Sequence, residues 1–150
     1  MDESYWKYIE PIWENVSIYD GEEIFIEQFS RLTEKQQVLL SSHWTQSEIL
    51  NGGLGQFFSN STGVLAPEAA HAFLMLGMPT TAKAIEDAMS FFGTPYPRDR
   101  SIRDNILEDF FDSFGEDAIP IEEQEDIVAT TIEEENGGFW VAADSFGKQP

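Results

Sequence analysis

The sequence predicts an all-α protein: a single compact domain over residues 1–150 with about seven or eight helices. Three observations predict this. Apolar residues recur at spacings of three and four through most of the chain, which places them on one face of a helix. Glycine, proline and Asn-Gly pairs break that pattern where helices start and stop. No segment alternates apolar and polar residues as a half-buried strand does.

The elements follow in order. Tyr5, Ile9, Ile12, Trp13 and Val16 predict a first helix from residue 4 to about 18, with Ser4 as its cap. Pro11 either kinks that helix or opens a shorter one. Asp20-Gly21 is a turn, and Glu22 and Glu23 begin a second helix with Ile24, Phe25, Phe29 and Leu32 as its stripe. Thr33 followed by Gln36 has the form of a capping box. The helix it opens runs to Leu50 or Asn51, with Val38, Leu39, Trp44, Ile49 and Leu50 as candidate core. Asn51-Gly52-Gly53 is a stop, and Leu54 to Phe58 is a turn or short helix whose Phe57 and Phe58 anchor the core. Pro67 suits the first turn of the next helix, carried by Ala69, Ala70, Phe73, Leu74 and Leu76. Residues 80–92 form another, with Ala84, Ile85, Ala88, Met89 and Phe92. This alanine-rich pair is expected at the centre of the core. Thr94-Pro95-Tyr96-Pro97 is a loop. Arg98 to Phe111 is helical, residues 112–120 are a loop, and Glu122 to about Glu135 is a further helix. Asn136-Gly137-Gly138 stops it, ahead of an apolar segment from Phe139 to Phe146.

Charge separates the chain into thirds. It has 28 acidic residues against 8 basic ones, a net charge of -20, yet 41% of it is hydrophobic and 13% aromatic. Residues 1–30 carry eight acids and one base, residues 31–103 six of each, and residues 104–150 fourteen acids and one base. Such a chain repels nucleic acid and anionic membranes and attracts cationic partners. It contains no cysteine, which removes disulfides and thiolate chemistry. The N-terminus lacks a basic region followed by an apolar run, and no apolar stretch is long enough to span a membrane. A cytoplasmic location is expected.

Catalytic chemistry finds little support. His43 and His71 are the only histidines, and neither lies at a metal-ligand spacing. No calcium loop, dinucleotide fingerprint or phosphate loop is present. No catalytic residue, metal or cofactor is expected. Glu48, Asn51 and Gln56, with Asn60 and Ser61, surround the glycine stop. They form a small pocket, or they satisfy backbone groups left open at helix ends.

The acidic segments carry a sharper pattern. Asp104, Glu108 and Asp112 follow i, i+4 spacing, so they lie along one helix face about 5–6 Å apart at Cβ. The phosphates of a duplex, one charge per roughly 1.7 Å of axis over two strands, are separated by a similar order of distance. A row of carboxylates can therefore present a DNA-binding protein with a duplex-like field. Glu108, Asp109, Asp112, Glu122, Glu123, Glu125 and Asp126 are the candidate surface, with Glu10, Glu14, Glu22 and Glu23 as a second patch.

The segment Glu48-Ile49-Leu50-Asn51-Gly52-Gly53-Leu54-Gly55-Gln56-Phe57-Phe58-Ser59-Asn60-Ser61-Thr62-Gly63 resembles the hallmark of the bacterial DNA-mimic protein family, E-x-x-N-G-G-F-x-Q-F-F-x-N-S-x-G. Leu54 stands where phenylalanine is usual. The order that follows is similar too: Pro67, the alanine-rich helix ending Phe91-Phe92-Gly93, then Tyr96-Pro97, Arg98, Arg100 and Arg103. The resemblance covers roughly residues 30–107. It implies an all-α fold and, for some members, an acidic decoy that occupies a transcription factor's DNA-binding surface. The expected partner is thus a basic protein, in particular a DNA-binding one, and a homodimer is compatible with these features. The alternative is an immunity-type or regulatory protein that binds a basic toxin or enzyme. Because the hallmark lies in the neutral third, it is read as a fold signature, with the function on the acidic surface.

Overall fold

The long helix α3, Glu34–Gly52, is the hub of the fold. The computed structural model describes residues 4–150, and α3 packs there against α1 (Trp6–Ile9), α4 (Leu54–Ser59), α5 (Ala66–Met75), α8 (Glu122–Glu134) and α9 (Phe139–Gly147). The remaining helices are α2 (Glu22–Ser30), α6 (Pro79–Phe92) and α7 (Arg100–Phe114). Three 3₁₀ turns, Glu10–Asn15, Ser61–Leu65 and Glu135–Gly137, join neighbouring helices. Among the described residues there are nine α-helices and no strand.

The start of α3 is the predicted capping box. Thr33 Oγ1 accepts the Gln36 amide at 3.2 Å, and Gln36 Oε1 accepts the Thr33 amide at 3.0 Å. Beyond it, Ser41, Ser42 and Thr45 are fully buried although polar. Each hydroxyl donates to the carbonyl four residues back, at 2.7, 2.7 and 2.8 Å. A hydroxyl satisfied inside its own helix can enter the core without an unpaired donor. These small residues let α3 approach α5, whose buried face is Ala66, Ala69, Ala70, Ala72 and Phe73.

Several expectations are corrected. The first predicted helix is broken at Pro11: α1 stops at Ile9, the proline sits in the first turn of a 3₁₀ turn, and Val16 is extended. Ser4 does not cap α1; Asp144 Oδ1 accepts the Tyr5 amide at 2.7 Å instead. Ile24, Leu50, Leu74 and Ile102 are exposed, because each lies on the outer edge of its apolar stripe. The alanine-rich pair α5–α6 packs together in the core as expected, α5 lying against α3 and α6 against α8. Helix α7 runs on to Phe114 and starts after Asp99, whose Oδ1 accepts the Ser101 amide at 2.8 Å.

Candidate partner-binding surface

The Glu48–Gly63 segment folds as a clasp. Gly53, at φ 89° and ψ 171°, is both the last residue of α3's cap and the cap of α4, a conformation that favours glycine. It turns the chain so that Phe57 and Phe58 point into the core, both fully buried. The Glu48 carboxylate accepts Gln56 Nε2 at 3.2 Å and Asn60 Nδ2 at 2.9 Å, tying α3 to the far side of α4. Asn51 is exposed at the end of α3 and takes no part in this set. Of the three pocket candidates, the structure therefore joins Glu48 to Gln56 and leaves Asn51 apart. Glu48 also borders a groove of about 190 Å³ with Trp44, Ser61 and Arg100.

The carbonyls that follow are satisfied by side chains from residues 96–103. Arg103 Nε donates to Phe58 O at 2.9 Å and its Nη2 to Asn60 O at 3.0 Å. Its Nη1 donates to the carbonyls of Pro97 and Arg98. Arg100 Nε donates to Ser59 O at 2.9 Å, Tyr96 Oη to Gly63 O at 2.7 Å, and Arg98 Nη1 to Val64 O at 2.8 Å. Arg98 also forms a bidentate pair with Glu68, at 2.8 and 2.9 Å. Burial works against the Arg98 charge, but the Glu68 carboxylate outweighs it and raises the pKa.

Arg103 is fully buried, the largest such side chain in the protein. None of its hydrogen bonds goes to a carboxylate, and burial lowers its pKa from the ordinary arginine value. The C-terminal end of α4 supplies the compensating partial negative charge. A Cβ on Gly63 would sit 2.7–2.8 Å from guanidinium atoms, so the planar group needs glycine there. Sequence reading missed Arg103 as a core residue because arginine is almost never fully buried. Its i+4 relation to Asp99 and its place in an apolar stripe with Ile106 and Phe110 were the available signals.

The acidic third divides into two populations. Three carboxylates are consumed as caps of distant helices. Glu125 Oε1 accepts the Gly55 amide of α4 at 2.7 Å. Glu135 accepts the Thr80 and Thr81 amides of α6 at 2.7 and 2.9 Å. Asp144 holds the Tyr5 amide at the start of α1. Burial opposes the Glu135 charge, but the Thr80 and Thr81 donors outweigh it and hold the carboxyl below its usual range. Glu125 is thus half-buried and drawn into the fold.

The others stay on the surface. Glu108, Asp109 and Asp112 on α7 and Glu122, Glu123 and Asp126 on α8 are exposed, as are Glu116 and Asp117 between the helices. Among the described residues none of these eight forms an ion pair. Asp104 lies 3.9 Å from Arg100. In the second patch Glu10, Glu14, Glu22 and Glu23 are exposed. Glu22 and Glu23 sit in the first turn of α2, where negative charge complements the helix dipole.

The two histidines differ. His71 is exposed on α5. His43 is packed among the rings of Tyr5, Trp6 and Trp13, with Nδ1 2.7 Å from Tyr5 Oη. Burial lowers its pKa to about 4. It is half-buried, and with Trp6 and Trp13 it packs against the core through the buried Tyr5. Trp140, by contrast, is 54% exposed.

This is an all-helical protein with an acidic surface over a core clasped by arginines. A model of the DMP19-like protein family matches residues 30–144, and the chain belongs to that family. The match continues through the acidic third, beyond the reach of the sequence resemblance. The family is one of DNA-mimic proteins, which implies at a coarse level a partner that binds DNA. No curated protein and no solved structure matches the chain. Among the described residues no helix is long and apolar enough to cross a membrane.

Proposed function

We propose that this chain is a non-enzymatic decoy that occupies the DNA-binding surface of a basic protein, a transcription factor or another nucleic-acid-binding protein. One observation carries the reading: apart from Asp104, which lies beside Arg100, the exposed carboxylates of α7 and the candidate ones of α8 have no cationic partner among the described residues, while arginines 98, 100 and 103 are bound to backbone carbonyls of the clasp. The fold thus removes much of its own positive charge from competition with a partner. Glu108, Asp112, Glu122 and Asp126 are the centre of the surface, with Asp109 and Glu123 beside them. Glu10, Glu14, Glu22 and Glu23 form the second patch. Glu125 is left out because it caps α4.

Exposed carboxylates steer a basic partner and lose that effect as salt screens them over about 8–10 Å. The test is capture of partners from a bacterial lysate, followed by elution with excess duplex DNA or with salt. A decoy's partner is displaced by DNA and by salt. A partner released by salt but held in the presence of DNA would instead mark the immunity-type reading. Capture of proteins that neither treatment releases would overturn both.

A further inference from the structure

Helix α7 presents apolar side chains that the fold does not cover. Arg103 is its only fully buried residue. Leu107 and Phe111 are half-buried, and beyond them Phe114 is 70% and Ile119 52% exposed. A groove of about 400 Å³ opens here, with Leu107, Phe111 and Ile119 as walls, buried Phe92 at its base, and Glu116 and Asp117 among its lining. That is within the range of roughly 300–1,000 Å³ in which proteins take up small ligands. The Glu116 and Asp117 carboxylates at its edge are exposed and, among the described residues, form no ion pair.

We infer that this groove receives an apolar side chain from a basic amphipathic segment of the partner. The inference rests on the acidic-surface reading and adds to it. Charge selects the occupant. A second copy of this chain would bring its own acidic third, net -13 over residues 104–150, against the same rim. An anionic lipid surface is repelled in the same way. A helix with Lys or Arg flanking one large apolar residue satisfies both the rim and the groove. The carboxylates then govern the rate of encounter, and the buried anchor governs how long the complex lasts. Such an anchor lets the surface distinguish one basic protein from another, which charge alone does poorly.

The test uses the full chain and two labelled helical peptides of equal positive charge. One carries leucines at i, i+4 and i+7; in the other, serine replaces each leucine. Fluorescence anisotropy at low and high salt gives both affinities. The leucine peptide is expected to bind at least about tenfold tighter, the lower end of the factor for burying one side chain of that size. Both affinities fall with salt, but their ratio holds. Ile119→Ser, at an exposed position, abolishes the ratio and leaves the serine peptide's affinity unchanged. Ile24→Ser, outside the groove, preserves the ratio. Amide shifts on titration with the leucine peptide cluster between residues 107 and 121. Equal affinities for the two peptides, a ratio that survives Ile119→Ser, or shifts that cluster elsewhere would overturn the groove and leave the acidic surface standing. Failure of both peptides to bind at low salt would overturn both.

Discussion

Replacing Arg103 with methionine keeps a long, flexible side chain in the core and removes the guanidinium. Four carbonyls, of Phe58, Asn60, Pro97 and Arg98, then lose a donor. A buried polar group left unpaired costs about 1–3 kcal/mol. Relief from burying a charge, several kcal/mol, offsets part of that total. The net expected loss is about 3–5 kcal/mol, the range seen when a buried charged network is broken. Against a total stability of about 5–15 kcal/mol, that is a large fraction. Arg103→Lys keeps the charge but offers three donors without the planar fork, and is expected to lose about 1–3 kcal/mol. Urea unfolding gives the order: wild type, then lysine, then methionine. Gly63→Ala completes a cycle. Its Cβ meets the guanidinium at 2.7–2.8 Å, so alone it costs about 1–3 kcal/mol of overpacking. In the methionine background the cost shrinks, because the rigid planar group is gone. A loss under about 1 kcal/mol for Arg103→Met would refute the clasp. Strictly additive costs would show that the guanidinium is not what requires glycine at position 63.

Four further predictions concern ionisable groups. His43 has a folded pKa of about 4, below its ordinary 6.5, so its contribution is present above pH 6.5 and is lost as pH falls toward 4. NMR titration should find the ring neutral down to that region, and a midpoint near 6.5 would mean that water reaches it. Glu135→Gln should cost about 1 kcal/mol at neutral pH through the α6 cap. Because the Glu135 pKa is lowered, that difference is lost as pH falls through the folded value, and a difference that persists in strong acid would contradict the cap. Glu125→Gln should destabilise by about 1 kcal/mol for the same reason at α4. Neutralising Glu108, Asp112, Glu122 and Asp126 together should leave the melting temperature nearly unchanged, since relief of like charges at i, i+4 and loss of the Glu122 charge from the first turn of α8 are each worth a few tenths of a kcal/mol and oppose one another. The same variant should lose affinity for a cationic peptide at low salt. Retained affinity would move the binding surface elsewhere.

The sequence alone determined the helical class, the capping box at Thr33, the stops at Gly53 and Gly138, and the burial of Phe57 and Phe58. Each is written in local chemistry: periodicity, a side chain that reaches three residues along, a glycine free to take positive φ. The charge asymmetry was equally plain, because counting needs no fold. The tertiary structure decided what those charges do. Ser41, Ser42 and Thr45 look like surface residues until their hydroxyls bond within α3 and let α5 close over them. Arg103 looks like a solvated cation until the open carbonyls around α4 surround it. Glu125, Glu135 and Asp144 look like members of an acidic face, yet each caps a helix more than fifty residues away. Helix ends leave unpaired amides and carbonyls whose partners the chain supplies from anywhere. No local pattern encodes which charge is drawn inward, so the division between structural and surface carboxylates exists only once the chain has folded.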